Sequence, residues 1–302
     1  MTSLNWYKGS LHNHTNRSDG DSEPETVADW YRRNGYDFIV FTDHNVITDL
    51  PAANTDSFLV IPGEEVTLRI NEEATAIHLN ALGITETVMP VQGRDVVSTL
   101  QANVDAIVRA GGIAVINHPN YTWAFDHRHL VQVTGALLLE IQNLHPVVNS
   151  YGGAGRPSCE EIWAHLLDTG QRIFGIATDD SHKFQGDFTP REGNPGRGWV
   201  MVRAARLNQA AVLSALRRGD FYASTGVVIE DMAADQNNVR LQVKQDRDFV
   251  YTVRFIGKGQ RVLKESYGTL AEYHPAIGDG YVRAVVECSS GAKAWTQPTF
   301  LT

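Results

Sequence analysis

The chain has 302 residues, 42% of them hydrophobic and 20% charged, which is enough to bury a sizeable core and unlike a disordered polymer. Its formal net charge of -9 and the lack of a basic run argue against a nucleic-acid polymer as partner. The N-terminal MTSLNWYKGS lacks an apolar stretch long enough for a signal peptide or a membrane span, so a cytoplasmic protein without a membrane partner is expected. Cys159 and Cys288 lie far apart and in no metal-like spacing; two reduced thiols are the simpler reading, with a single disulfide left open.

In chain order, LHNHTNRSDG (Leu11 to Gly20) precedes a helix predicted over Pro24 to Arg33, with Ser22 as candidate cap, Pro24 and Glu25 in the first turn and Gly35 as the stop. DFIVF from Asp37 reads as a buried strand ending at TDHN, and FLVIPGEE from Phe58 repeats that pattern. TAIHLNAL from Thr75 is a further apolar run, carrying His78. Helical periodicity follows from Asp95 to Ala110 through Val97, Leu100, Val104, Ile107 and Val108. GGIAVINHP then reads as strand, histidine and proline, and ALLLEIQN from Ala136 as another strand. EEIWAHLL from Glu160 is helical, with Ser158 and Glu161 in capping-box spacing. RIFGIATDDSH gives a strand ending in acids and a histidine. QAAVLSALRRG from Gln209 is a last helix with a glycine stop.

This β/α alternation implies a mostly parallel sheet with helical crossovers, and the number of units favours a closed or nearly closed barrel over a short open sheet. After about Val227 the pattern changes to short alternating runs such as VRLQVKQ and FVYTVRFIG. Two domains are therefore expected: a catalytic α/β barrel over residues 1–226 and a small antiparallel all-β, sandwich-like domain over residues 227–302.

Residues able to bind metal recur where buried apolar runs end: His12 and His14, Asp43 and His44, Glu64 and Glu65, His118, and Asp179 with His182, with His78 inside its own run. In a β/α barrel such strand ends converge on one face. A buried cluster of imidazoles and carboxylates is costly unless cations compensate it, and mixed His, Asp and Glu donors suit zinc, manganese or iron. His127, His129, His165 and His274 are read as structural or solvated. His145, after ALLLEIQN, is a candidate to face the site.

LHNHTNRSDG, FTDHN, PGEE, the His78 segment, NHP and TDDSH resemble, in order, the motifs of the polymerase-and-histidinol-phosphatase (PHP) superfamily, over about residues 6–225. NPGRGWVMVRA, ALRRGDFYASTG and the β-rich tail further resemble its stand-alone phosphoesterase and CehA/McbA-like metallohydrolase branch. The resemblance implies a distorted (β/α)7 barrel holding two or three divalent metals. It implies a first metal on His12, His14, a bridging glutamate and Asp179, a second on that glutamate with His78 and His118, and a third on Asp19, His44 and His182. The PG-x-E pattern makes Glu65 the bridge, with Glu64 as fallback. The implied chemistry is hydrolysis of a small phosphorylated metabolite or nucleotide by a metal-bridging hydroxide. The alternative is hydrolysis of a carbamate, ester or amide at the same centre. Asp43 is expected to orient His44. Arg17 and Arg197 are candidate phosphate clamps and Lys183 a weaker one, while Tyr121 and Trp123 could stack on the substrate.

Overall fold

A computed structural model describes residues 4–70 and 75–301. Strand β1 (Asn5–Ser10) leads to helix α1 (Pro24–Arg33), which buries Val27, Ala28 and Tyr31. Its N-cap is Glu23 rather than Ser22, whose hydroxyl donates to Asp21 instead. Strands β2 (Phe38–Val40) and β3 (Leu59–Ile61) follow. Then come β4 (Gly63–Ile70) and β5 (Thr75–Leu82). Helix α2 (Val96–Arg109) starts at Asp95, whose side chain accepts from the Ser98 N–H. It is followed by β6 (Ile113–Ile116), the short helix α3 (His127–Leu130) and β7 (Leu138–Asn143). Helix α4 (Cys159–Asp168) carries the reciprocal Ser158–Glu161 cap. Strands β8 (Phe174–Thr178) and β9 (Trp199–Ala204) precede helix α5 (Gln209–Arg218), which Gly219 ends in the left-handed region that favours glycine.

The strands do not close into the expected barrel. One sheet runs β4-β5-β6-β7-β8, and its first two pairings are antiparallel rather than parallel. β1, β2 and β3 belong to a different sheet, although only Pro62 separates β3 from β4. Proline has no N–H to donate to a ladder, and β4 instead forms an eight-residue hairpin ladder with β5. Where the sheets part, single bridges stitch them: Asn13 with Ser181 and His44 with Glu65. Each bridge includes or adjoins a candidate ligand, so the seam between sheets is where the site lies.

The second sheet continues past β9 and β10 (Phe221–Ser224) into the C-terminal strands. These are β11 (Ile229–Ala234), β12 (Val239–Val243), β13 (Tyr251–Gly257), β14 (Arg261–Tyr267), β15 (Leu270–Tyr273), β16 (Tyr281–Cys288) and β17 (Lys293–Thr296). The path is β14-β13-β16-β17-β10-β9-β1-β2-β3. A separate sheet, β11-β12-β15, covers it through Ile229, Leu241, Val253, Phe255 and Val286, so alternating strands bury one face in a two-layer packing. Both cysteines are buried and unbridged. The interior between the two main sheets holds Leu11, Phe38, Val40, Ile61, Val115, Ile176 and Val202, against α5 residues such as Val212 and Leu216.

Gly9 shows how tightly β1 and β2 pack. A methyl group added there would lie 2.1 Å from the Phe38 ring. Gly9→Ala is expected to lower unfolding free energy by about 1–3 kcal/mol through overpacking, measured by urea denaturation.

Candidate metal centre

Beyond β1 the chain stays extended, so His12 and His14 share one face and Asn13 the other. Asn13 donates its amide to the Val40 carbonyl at 2.9 Å. The two imidazoles are fully buried, with their Nε2 atoms 3.1 Å apart. Both face the same two carboxylates. Glu65 Oε2 is 3.6 Å from each, and Asp180 Oδ1 is 3.2 Å from His12 and 3.3 Å from His14. The other Glu65 oxygen faces His78 Nδ1 at 3.0 Å and His118 Nε2 at 3.3 Å. Asp19 lies beside them, 3.4 Å from His44 Nε2 and 3.3 Å from His182 Nε2.

Electrostatics follow this crowding. Burial opposes ionisation of Glu65, but the charges of His78 and His12 hold its carboxyl well below the usual range. His12, His14 and His182 do the same for Asp180, again against burial. For Asp19, hydrogen bonds from His182 and His44 outweigh burial and lower its pKa. Burial and then the charge of His182 push His14 down to about 4. His44 rises to about 10, because Asp19 and Glu65 overcome its burial.

Donor atoms that converge in this way can hold divalent cations. Four groups have one ligand atom per residue within 4.8 Å of one another: His14, Asp19, His44 and His182; His12, His14 and Glu65; His12, His118 and Asp180; His44, Glu65 and His78. His78 Nε2 is also buried with no hydrogen-bond partner among the described residues. Nitrogen and carboxylate donors in this arrangement fit divalent zinc, manganese or iron.

Asp179 departs from the expected ligand set. Its carboxylate accepts the backbone N–H groups of Gly196, Arg197 and Gly198 at 2.9, 2.6 and 2.7 Å, and the Tyr31 hydroxyl at 3.0 Å. Asp180 replaces it at the centre, with a φ of 50° that turns the chain at the strand end. Period two is the signal that was available: Asp180-x-His182 repeats the spacing of His12-x-His14, placing alternate residues on one side. Glu64, the fallback bridge, faces away from the cluster and accepts the Val88 N–H at 2.5 Å.

Asp43 does not orient His44. It accepts from the Thr15 N–H and hydroxyl, Ser18 and Thr48 at 2.6–2.8 Å, bracing the loop that carries Asp19. His44 is met instead by Thr67 Oγ1 at 2.7 Å from its Nδ1. Sequence reasoning missed Glu140, a lone acid in the apolar run of β7. It lies 2.6 Å from His12 Nδ1 and accepts the His118 N–H, the Thr178 hydroxyl and the Asn143 amide. A carboxylate on the far nitrogen of a ligating imidazole fixes its orientation and tautomer.

The cluster opens into a cavity of about 210 Å³ walled by Tyr121, His145, Val147 and Val148. Of the residues expected to meet a substrate, Tyr121 and His145 therefore line the cavity, while the cationic candidates do not. Arg17 is exposed and lines no part of the cavity. The Arg197 guanidinium turns to the Glu192 carbonyl at 3.4 Å, and Lys183 pairs with the Glu192 carboxylate. Trp123 stands off the cavity with the Arg156 guanidinium over its ring.

No family model and no curated protein matches the chain. Among solved structures it is similar to a two-domain protein from Bacteroides vulgatus containing a predicted PHP-like metal-dependent phosphoesterase. The match covers 94% of this chain and 91% of that one, at 19% identity and a TM-score of 0.56. A putative metal-dependent phosphoesterase from Bifidobacterium adolescentis is more distant, at 15% identity and a TM-score of 0.43 over 62% of this chain and 89% of that one. So is an amidohydrolase from Chromobacterium violaceum with bound sulfate and no metal, at 16% and 0.41 over 61% and 93%. The chain thus has a PHP-like fold.

Two predictions separate the neighbouring acids. Asp180→Ala is expected to lower bound metal, read by elemental analysis of the protein after loading and desalting. Asp179→Ala is expected to keep the donor cluster but lose about 1–3 kcal/mol of stability, because three backbone N–H groups lose their acceptor. Glu64 gives a pH dependence. Burial raises its pKa from 4.5 to about 7. Below pH 4.5 both folded and unfolded chains hold the proton; from there to pH 7 the unfolded chain releases it first, so stability falls as pH rises. In urea denaturation of metal-free protein, the stability of Glu64→Gln relative to the parent is expected to increase across that window and then level off.

Proposed function

We propose that the chain is a metal-dependent hydrolase of small phosphoesters. The observation that supports this best is that each of the four donor groups contributes to the wall of one cavity and that His12, His14, His44 and Glu65 each belong to two of the groups. On this reading His12, His14, Glu65 and Asp180 hold one metal. Glu65, His78 and His118 hold a second, and Asp19, His44 and His182 a third. Divalent cations there supply Lewis acidity and a nucleophile from water at neutral pH. Several cations around one small cavity suit a group with several anionic oxygens. The PHP-like phosphoesterase description of the Bacteroides protein with a similar fold agrees with this reading.

The chain's own residues set the geometry. Glu65 spends one oxygen on each half of the cluster. Glu140 steadies His12 from behind, and Thr67 steadies His44. His145 belongs to none of the donor groups, and its Nδ1 accepts the Val147 N–H at 3.4 Å. Burial lowers its pKa and so favours the neutral ring, whose Nε2 N–H can donate a hydrogen bond to a substrate oxygen in the cavity.

A second reading is hydrolysis of a carbamate, ester or amide. It is favoured by one observation: no lysine or arginine lines the cavity among the described residues. Phosphate release from a panel of monoesters and diesters, with zinc, manganese or iron and with EDTA, tests the first reading. Release only in metal-loaded samples is expected. No phosphate from any metal-loaded sample, with release of the alcohol from aryl carbamates or esters, would replace it with the second.

A further inference from the structure

One side of the cavity is apolar. Tyr121, Val147 and Val148 line it beside His145, and the rest of the lining is clustered histidines and acids. Val147 is 61% exposed, and none of the hydrophobic core clusters among the described residues includes Tyr121 or either valine. Core packing therefore gives no reason for these side chains to be apolar where they stand. An apolar group seated against them would leave water, a gain that the open wall does not have by itself.

The wall is preformed and continuous with the donors. The His145 carbonyl accepts the Val148 N–H at 3.0 Å, and Asn143 Oδ1 accepts the His145 N–H at 2.9 Å, so the two valines ride on a closed turn after β7. Tyr121 bridges to Val148, and the buried Asn120 donates to the carbonyls of Asn149 and Pro157 at 2.9 Å, which ties the loop after β6 to that turn. The Tyr121 ring centroid lies 5.3 Å from that of His118 and 5.7 Å from that of His78. A group held at the donors and extending toward this side meets the wall at once. The cavity, about 210 Å³, is smaller than the roughly 300–1,000 Å³ common for ligand sites, and no lysine or arginine lines it among the described residues.

We propose that Tyr121, Val147 and Val148 form a leaving-group subsite that selects phosphoesters of small, neutral, apolar alcohols over those of polyols or of alcohols carrying a second anion. This rests on the phosphoester reading above and adds the class of leaving group. The phosphoryl oxygens belong to the donor side of the cavity, and the hydrocarbon part of the alcohol covers the valines and the tyrosine ring.

Two non-hydrolysable probes of equal length test it by calorimetry on the metal-loaded full chain: butylphosphonate against 3-hydroxypropylphosphonate. The butyl compound is expected to bind about fivefold more tightly, the scale of partly burying a short alkyl chain. That ratio should hold as salt is raised, because no charge distinguishes the probes. It should fall toward one in Val147→Asn and in Tyr121→Ser, and stay at the parent value in Val250→Asn, a similarly exposed valine that does not line the cavity. A parent ratio of one, or a ratio that neither Val147→Asn nor Tyr121→Ser lowers, overturns the subsite and leaves the phosphoester reading in place. If neither phosphonate binds, the phosphoester reading is overturned and the subsite with it.

Discussion

Glu65 and Asp180 are the constraint on which the rest of the structure turns. Two fully ionised carboxylates sit out of water among six imidazoles, and such groups are tolerated only when every oxygen has a partner. Each oxygen of Glu65 faces a different set of histidines, so a small rotation of this side chain would disturb the whole cluster. The histidines come from five stretches of chain, and their positions must agree to within a fraction of an ångström. That demand explains why the seam between the two sheets, rather than the middle of either, carries the donors. Backbone ladders there are interrupted, and side chains can converge.

Holding those stretches together takes further buried acids outside the donor groups. Asp43 ties the Thr15–Ser18 turn to the end of β2, Asp179 ties the loop before β9 to the end of β8, and Glu140 ties His12 to the start of the His118 loop. These five buried carboxylates thus divide into Glu65 and Asp180, each facing several imidazoles, Asp43 and Asp179, which accept from the chain, and Glu140, which does both. Environment alone distinguishes them. Glu65 and Asp180 are ringed by rings that carry or share protons, whereas Asp179 sits in a cradle of consecutive backbone N–H groups, and burial raises its pKa.

The clustered histidines were legible because all but His78, which lies inside β5, stand where an apolar run stops. Asp179 and Asp180 were not separable on the same basis, since both follow the run. What separates them is the backbone turn at Asp180, with the alternation it allows toward His182. Glu140 was hidden by its surroundings: a single acid inside LLLEIQN reads as part of a buried strand, and its partner lies 128 positions away. The arginines misled for a related reason. A loop position near a motif says nothing about where a long, flexible side chain points, and Arg197 is held near the site by its backbone, not by its charge. The barrel expectation failed at Pro62: FLVIPGEE read as a single strand ending in acids, and the chain instead divides there into β3 and β4 of different sheets.

The antiparallel ladder between β10 and β17 joins the sheet of β1, β2 and β3 to the C-terminal layers, with Tyr222 opposite Thr296 and Ser224 opposite Ala294. Sequence composition changes near residue 227, yet the sheet does not notice. A cut at that point would leave β10 as a bare edge with its outer N–H and C=O groups unpaired and Tyr222 stripped of its cover, the arrangement from which strands recruit strangers. The C-terminal layers therefore act for the rest of the chain as a permanently bound neighbour that occupies this edge.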